Sequence, residues 1–176
     1  MQRDQVAEPD QVRDAAFRDL ANQHLDASYR LAHVILGNEA DAQDATHDAF
    51  VQAWRRWPTL RDPAKFSQWF DRILVNTCRD RLRRTTRWPT QDLSADLAAR
   101  GSDPVNATLD RDLIGIGLAR LSPDHRVVVV LRFYRDLSAE EIARILGIRV
   151  GTVHSRLHYA LQRLRAVLDA DRGMDR

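Results

Sequence analysis

The sequence predicts an all-α protein made of two small helical domains that are joined by a flexible linker. Apolar residues recur at helical spacing along most of the chain, whereas the alternation typical of half-buried strands does not. Residues 85–107 lack a sustained period and contain Pro89, Gly101 and Pro104, which is typical of a domain boundary. The 176 residues are enough for two small domains with modest cores. The expected division is 11–86, a linker at 87–107, and 108–170.

The charged residues are segregated along the chain, although its net charge is only +2. Residues 63–91 contain seven Arg and Lys against two Asp, and residues 126–168 contain eight Arg against three Asp and Glu. Acidic segments precede both. Two separated basic segments indicate two contacts with one long polyanion.

Composition excludes several classes of protein. No apolar run approaches the ~20 residues that cross a bilayer, and the first ten residues lack the apolar core of a signal peptide. We therefore expect a cytoplasmic protein without membrane insertion. The single Cys78 supports neither a disulfide framework nor a four-cysteine zinc site, and we expect it to be a small buried side chain. Because no nucleophile and base pair, glycine-rich phosphate loop or metal-ligand set is recognisable, the sequence predicts a protein that is not an enzyme and has no cofactor.

The first domain is expected to begin with a pair of helices over residues 11–36, whose inward side chains include Leu25. Asn38 is a suitable N-cap for the next helix, 39–56, which carries acidic residues in its first turns. The two prolines of WPTLRDPAK, 57–65, predict a loop. The stretch FSQWFDRILVNTCRDRLRR then predicts a third helix.

This third helix sets arginines beside aromatic residues, the combination that unpaired bases require for stacking and for neutralisation of their backbone. A core position is the simpler interpretation for most of the rings, and we favour it for Trp54, Phe66 and Phe70. A polar stripe on the helix cannot be absorbed by a core and is expected to face a ligand or solvent. The stripe consists of Arg72, Asn76, Asp80 and Arg83.

The second domain contains one segment with strand propensity, VVVVLRFY at 127–134. Ser122 followed by Pro123 is a strong helix start, however, and the apolar residues of the segment keep helical spacing. The sequence therefore predicts a helix here.

The stretch LSAEEIARILGIRVGTVHSRL carries the most specific local pattern of the chain. Ser138 and Glu141 form a capping box, and Gly147 can end the helix in the left-handed conformation. A second helix is expected to start near Val150. A helix, a glycine-containing turn and a second amphipathic helix form the helix-turn-helix pattern, in which the second helix enters the major groove of DNA.

The polar face of this second helix allows three interpretations. His154 and His158, four residues apart, could bind one zinc ion, but neither a third ligand nor the glutamate of a zinc protease helix accompanies them. A solvated face leaves the small and hydrogen-bonding residues at the helix start unexplained. Duplex DNA fits best, because Arg149 and Arg156 can pair with phosphates or guanine edges. The apolar stripe of this helix consists of Val153, Leu157, Leu161, Leu164 and Leu168.

The motifs of the two predicted domains, taken in their order along the chain, resemble those of the extracytoplasmic-function (ECF) sigma factors. These are the smallest class of bacterial RNA polymerase sigma subunits. The N-terminal part is similar to sigma region two through EADAQDATHDAFVQAW and FSQWFDRILVNTCRDRLRR. The C-terminal part is similar to region four through LSPDHRVVVVLRFYRDLSAEEIARILGIRVGTVHSRLHYALQRLR. The resemblance covers residues 13–168. It implies a transcription initiation factor that directs core RNA polymerase to specific promoters and helps to melt their minus-ten element.

The resemblance also implies roles for particular residues. The clamp helices of the polymerase beta-prime subunit would be bound by Asp41, Asp44, His47, Asp48 and Arg55. The minus-ten element, held as a single strand, would be bound by Lys65, Trp69, Arg72, Asn76, Arg79, Asp80 and Arg83. The minus-thirty-five element, read as a duplex, would be bound by Arg149, Gly151, Thr152, His154, Ser155, Arg156, His158 and Tyr159. The linker toward the active cleft would be acidic at Asp92, Asp96 and Asp103.

The implied partners are core RNA polymerase, through its beta-prime clamp helices and beta flap, promoter DNA in duplex and single-stranded form, and an anti-sigma protein that packs against both domains. One alternative is a stand-alone helix-turn-helix regulator that binds duplex operator DNA. That alternative leaves the aromatic and arginine-rich helix at 66–84 without a role.

Overall fold

The computed structural model describes residues 9–87 and 114–174, and within these ranges it contains α-helices and two short 3-10 turns but no β-strand. The predicted all-α class is confirmed. The helices are α1 (Pro9–Leu36), α2 (Glu39–Arg56), α3 (Phe66–Arg87), α4 (Pro123–Phe133), α5 (Ala139–Leu146) and α6 (Val150–Met174). Residues 114–119 are helical as well. From residue 88 onward the predicted linker, with its Asp92, Asp96 and Asp103, lies outside the described residues.

The helical pair predicted at 11–36 is a single helix, because α1 continues without a break for 28 residues. No proline or glycine interrupts this stretch, so nothing in it ends a helix before Gly37. Gly37 has a φ of 81° and donates its N–H to the carbonyl of His33 at 2.8 Å. This left-handed glycine closes the last turn of α1.

The continuous helix also decides which side chains of α1 are buried. Phe17, Ser28 and Leu31 lie on its buried stripe, and the Ser28 hydroxyl donates to the carbonyl of His24 at 2.6 Å, which satisfies a buried polar group. Leu25, predicted to point inward, lies off this stripe and is 46% exposed.

Helix α2 presents a stripe of small side chains to its neighbours α1 and α3. Asn38 caps it as predicted, since the Asn38 Oδ1 accepts the N–H of Asp41 at 2.8 Å. Small residues at helical spacing allow the backbones of packed helices to approach closely. The fully buried alanines of the stripe are Ala42, Ala45, Ala49 and Ala53.

Aromatic rings fill the centre of the N-terminal unit, which comprises α1–α3. Phe66 and Phe70 are each 1% exposed and stack with their ring centroids 5.6 Å apart, and Phe17 meets Trp57 edge-on at 5.5 Å. The predicted core positions of Phe66 and Phe70 are confirmed. The same prediction is wrong for Trp54, which is 40% exposed because it lies beside the alanine stripe of α2, and its ring keeps an edge contact with Phe17.

The strand-prone segment is helical in α4, as predicted, and Ser122 caps the start of this helix. Burial explains why tertiary packing overrides strand propensity here, because the four valines face two different sides of the core and none is more than 7% exposed. Val127, Val128 and Val130 join the main core, whereas Val129 packs with Leu121 and Ala160.

The helix-turn-helix is formed by α5 and α6. Both hydrogen bonds of the capping box between Ser138 and Glu141 are present, and Gly147 ends α5 with a φ of 65°. The buried stripe of α6 runs through Val153 and Ala160, both fully buried, and through half-buried residues between and beyond them. Leu161, predicted as part of this stripe, is 43% exposed because Ala160 takes the inward position.

The N-terminal unit and the C-terminal unit, which comprises residues 114–119 and α4–α6, pack directly against each other. Helix α3 contacts α4 and α5, and α1 contacts α4. One apolar core is continuous across the boundary, from Leu31 and Ile35 on α1 to Val127, Leu131 and Ile142 on α4 and α5. The sequence predicts two domains but not this arrangement, which brings Arg79 and Arg83 of one predicted DNA-binding set and Arg156 of the other to the boundary between the units.

Candidate nucleic-acid interface

A polar cavity of about 610 Å³ lies between α2 and α3. Four of the residues predicted to bind the minus-ten element line it, namely Trp69, Arg72, Asn76 and Asp80. Its opposite wall comes from α2 and from the 3-10 turn that follows it. The residues of that wall include Asp48, Gln52, Arg56 and Thr59.

Hydrogen bonds between α2 and α3 fix part of this cavity. The Gln52 side-chain amide donates to the Thr77 hydroxyl at 3.2 Å, and that hydroxyl donates to the carbonyl of Ile73 at 2.9 Å. Asn76 is half-buried and Asp80 is exposed at the rim. The cavity thus offers an aromatic ring, an amide and several guanidinium groups to a ligand.

The other residues of the predicted minus-ten set lie elsewhere. Lys65 is 72% exposed and pairs with Asp62 at 3.9 Å in the turn before α3. Arg79 and Arg83 face the C-terminal unit, where both meet Asp124 of α4. The stripe predicted on α3 is therefore divided between an open cavity and the boundary between the units.

Asp124 is the meeting point of three arginines. The Nη2 of Arg83 is 3.0 Å from each carboxylate oxygen of Asp124, and the Nη2 of Arg156 is 3.0 Å from Oδ2. The Nε of Arg79 is 4.0 Å from Oδ1. Because Arg79 and Arg83 belong to α3 and Arg156 belongs to α6, one carboxylate contacts residues from both predicted DNA-binding sets.

Arg126 is a second polar contact between the units, and it is 8% exposed. Its guanidinium donates to three backbone carbonyls, those of Leu118 at 2.7 Å, Ala119 at 2.9 Å and Ile35 at 3.2 Å. The last of these lies at the C-terminal end of α1, where carbonyls lack helical partners and the helix dipole favours a cation. Burial lowers the pKa of Arg126, but a guanidinium stays protonated throughout the physiological range.

A third contact joins Asp71 of α3 to Arg135, which follows α4, with an Nη2–Oδ2 distance of 2.5 Å. The Asp71 side chain is 12% exposed. A buried carboxylate requires such a partner, because its desolvation in an apolar core is costly.

The residues predicted to bind the polymerase share α2. Asp44, His47, Asp48 and Arg55 are exposed. Asp41 is half-buried and engaged within the protein, since its carboxylate lies 3.6 Å from the Nε of Arg81, which also contacts Asp44 at 3.2 Å. Most of this set is thus accessible to a partner, whereas Asp41 and Asp44 also pair with Arg81 within the protein.

The residues predicted to read the minus-thirty-five element lie on the first turns of α6 and in the turn before it. Most are exposed, with Thr152 and Arg156 half-buried. A Cβ added to Gly151 would meet no atom within 4 Å, so packing within the protein does not require glycine there. The exposed members are Arg149, Gly151, His154, Ser155, His158 and Tyr159.

The described residues give no support to a metal site. In residues 9–87 and 114–174 no three His, Cys, Asp or Glu side chains lie together as a metal ion would require. His154 is exposed, and the Nε2 of His158 lies 3.1 Å from the amide of Gln162. Within the same ranges no helix combines the length and the apolar character that a membrane span needs.

The sequence did not single out four of the residues that join the two units, Asp71, Asp124, Arg126 and Arg135. Asp71 carried a signal, because it shares a helix face with Leu74 and Cys78, and a charge on an apolar face needs a partner. Asp124 and Arg126 gave no such signal in the sequence. Asp124 is an ordinary acidic residue for the first turn of a helix. Its partners Arg156 and Arg83 are 32 and 41 residues away.

Known proteins are similar to this chain over most of its length. Residues 20–88 match the family model "Sigma-70 region 2", and residues 117–166 match "Sigma-70, region 4". The chain is 36% identical over 159 residues to the ECF RNA polymerase sigma factor SigL of Mycobacterium tuberculosis, with 88% of this chain and 89% of SigL covered. It is 33% identical over 168 residues to the ECF RNA polymerase sigma factor SigW of Bacillus subtilis, with 87% and 89% covered.

Two solved structures are similar over most of their length. CnrH in complex with the cytosolic domain of CnrY has a TM-score of 0.63 and 31% identity, with 90% of each chain covered. The sigma factor RpoE of Bartonella quintana, in complex with the anti-sigma factor NepR, has a TM-score of 0.66 and 25% identity, with 88% of this chain and 98% of RpoE covered. The chain therefore belongs to the sigma-70 family, as an ECF RNA polymerase sigma factor.

Proposed function

We propose that this sigma factor initiates transcription by holding promoter DNA at two separate surfaces while it is bound to core RNA polymerase in the cytoplasm. The polymerase performs the nucleotide chemistry. The chain itself catalyses no reaction and uses no cofactor; it contributes binding free energy that favours the melted promoter over the paired one.

The cavity between α2 and α3 is the proposed site for the minus-ten strand. It combines the ring of Trp69 with guanidinium groups and the amide of Asn76. A ring and cations suit the stacking of an unpaired base and the neutralisation of its backbone, and an amide suits hydrogen bonding to a base edge. This composition is the observation that carries the proposal, because a protein that binds only duplex DNA has no use for it.

The exposed first turns of α6 are the proposed site for the minus-thirty-five duplex. Hydroxyl, imidazole and guanidinium groups project from them, and such groups contact base edges and phosphates in a major groove. Open space around Gly151 leaves room for a DNA backbone to approach. The proposed boundaries of the two DNA-binding domains remain 11–86 and 108–170.

The exposed face of α2 is the proposed contact with the clamp helices of the beta-prime subunit, and the C-terminal domain would contact the beta flap. Asp44, Asp48 and Arg55 recur at helical spacing on one side of α2 and are exposed. By analogy with the solved complexes, an anti-sigma protein is the proposed inhibitor. A stand-alone operator-binding regulator, the alternative, leaves both the α2 face and the cavity unused.

Run-off transcription tests the proposed function. Core polymerase is mixed with this protein and native promoter fragments, and core polymerase alone is the control. We expect transcripts of defined length only when the protein is present. Failure to start a transcript on any fragment would contradict the proposal.

A further inference from the structure

A second cavity, of about 420 Å³, lies beside the proposed minus-ten site. One wall comes from the first turns of α3 and the turn before it, and the other comes from α5 and the turn before it. Leu60, Trp69, Leu137 and Ile145 give the cavity an apolar lining. Cavities of several hundred Å³ with apolar walls and a few polar groups are typical of small-molecule sites, which are frequent where two units meet.

Both carboxylates that line this cavity are already engaged within the protein. Asp71 pairs with Arg135, which also lines the cavity. The carboxylate of Glu141 accepts the backbone N–H of Ser138 at 2.8 Å as part of the capping box. Neither acid therefore neutralises the other cations of the lining.

These other cations are Lys65, Arg72 and Arg144, and all three are exposed. Lys65 pairs with Asp62 at 3.9 Å, an exposed contact that contributes little. Within residues 9–87 and 114–174 no carboxylate pairs with Arg72 or Arg144, and the Nε of Arg144 donates to a carbonyl of its own helix at 3.4 Å. An apolar lining beside two guanidinium groups without a carboxylate suits a molecule that has an apolar body and an anionic group.

The volume of this cavity decides between two kinds of occupant. A helix of a partner protein is about 10 Å wide, so two turns of it would fill roughly twice 420 Å³. A small organic molecule fits the available space.

Trp69 and Arg72 line both this cavity and the proposed minus-ten cavity. The Arg72 guanidinium can pair with an anion in the one cavity or with a backbone phosphate in the other, because carboxylate, sulfonate and phosphate oxygens accept from it in similar ways. Occupation of the second cavity should therefore weaken the hold of Arg72 on the minus-ten strand.

We propose that the second cavity binds a small organic anion with an apolar body, and that the bound anion competes with the minus-ten strand for Arg72. The competition rests on the minus-ten role assigned above to Arg72. The site itself rests on the lining and its charges alone.

Two fluorescent probes that differ by one charge test the site on the full-length protein. Anilinonaphthalene sulfonate carries an apolar body and an anionic group, and phenylnaphthylamine has a similar body without the charge. The test variant is Arg144→Gln, which removes a cation of the lining that has no assigned role in DNA binding. We expect it to weaken binding of the sulfonate roughly 3- to 10-fold, because a charge-assisted hydrogen bond is lost, and to leave binding of the neutral probe unchanged.

Arg163→Gln is the matched control. This arginine is exposed on α6 and lies outside the proposed sites, and the change removes the same charge from the protein. We expect it to bind both probes as the wild type does. Equal affinity of Arg144→Gln and the wild type for the sulfonate, or an equal loss in Arg163→Gln, would show that the probe binds apolar surface in general and would overturn the proposed site.

The second measurement is binding of a labelled single strand, taken from the minus-ten region of a native promoter, while the sulfonate is titrated. We expect the sulfonate to weaken strand binding in the wild type, and Arg144→Gln to need roughly 3- to 10-fold more sulfonate for the same effect. Strand binding that saturating sulfonate leaves unchanged would overturn the competition. Charge-dependent binding of the probe by a wild type that starts no transcript would leave the site standing and overturn only the proposed function.

Discussion

The two proposed DNA-binding surfaces are built in different ways. The minus-ten cavity takes its walls from α2, a 3-10 turn and α3, so its shape depends on how separate elements pack. The minus-thirty-five surface projects from the first turns of one helix and the turn before it. The first surface is thus a product of long-range packing and the second of local sequence. Changes in the core should damage the first surface most, whereas changes in caps and turns should damage the second.

The largest effect is expected at the contact that supports both surfaces. Arg126→Ala removes a buried guanidinium and its three hydrogen bonds, so the carbonyls of Leu118, Ala119 and Ile35 lose this donor. We expect a loss of about 3 kcal/mol in the free energy of unfolding, measured with urea. Arg132→Ala is the control on the same helix; its half-exposed side chain should be worth about 1 kcal/mol or less. Equal losses in the two variants would show that Arg126 does not join the units.

A smaller effect should separate the two surfaces by function. Asn76 and Ser155 belong to different surfaces, and neither contacts Asp124, unlike Arg79 and Arg156. Asn76→Ala should reduce promoter opening about tenfold, measured by permanganate reactivity of minus-ten thymines, and leave duplex binding unchanged. Ser155→Ala should weaken binding to a minus-thirty-five duplex by a similar factor. If each variant impaired both steps equally, the division of labour would be wrong.

Two glycines of the helix-turn-helix sharpen the contrast between packing and recognition. Gly147 has a φ of 65°, so Gly147→Ala should destabilise the protein by about 1 kcal/mol. Gly151 lies in α6 with open space around it, so Gly151→Ala should be neutral or stabilising by roughly 0.5–1 kcal/mol. We nevertheless expect Gly151→Ala to weaken duplex binding, because its methyl group would meet the DNA backbone. Unchanged binding would remove Gly151 from the proposed site.

The smallest expected effect is the pH dependence of the capping box. The backbone N–H and the hydroxyl of Ser138 lower the pKa of the Glu141 carboxyl below its usual value of 4.5. A depressed pKa in the folded state contributes stability above the unfolded value, and that contribution is lost as the pH falls through the folded value. Glu141→Gln should therefore destabilise the protein at pH 7, and the difference from wild type should shrink below pH 4.5. A difference that stays constant from neutral to strongly acidic pH would exclude this origin.

The local sequence predicted most of the structural features that depend on neighbouring residues. Asn38, Ser122, the Ser138 and Glu141 box and Gly147 act on neighbours within four residues, and each cap lies where it was predicted. The same reasoning found the stripe on α3 and the exposed residues of α6. Their assigned roles stay predictions.

Packing between helices determines the features that the sequence did not predict. Leu25, Trp54 and Leu161 each lie next to the buried stripe of their helix, and only the neighbouring elements determine where a stripe ends. Asp124 and Arg126 act on residues between 7 and 91 positions away, so no local pattern could reveal their roles. The packing of the two units against each other is a property of those distant contacts.

The central claim is that this chain binds a promoter at two separate surfaces, although the units that carry them pack against each other in the described structure. Cysteines for two dyes are introduced at Asn22 of α1 and Ala166 of α6, which are both exposed. Energy transfer between the dyes, measured first on the free protein and then on its complex with core polymerase and a promoter, tests this claim most directly. We predict strong transfer in the free protein and its loss in a complex that still produces a transcript, because the two promoter elements lie about 25 base pairs, or about 85 Å of duplex, apart. Strong transfer that persists in such an active complex would contradict the account.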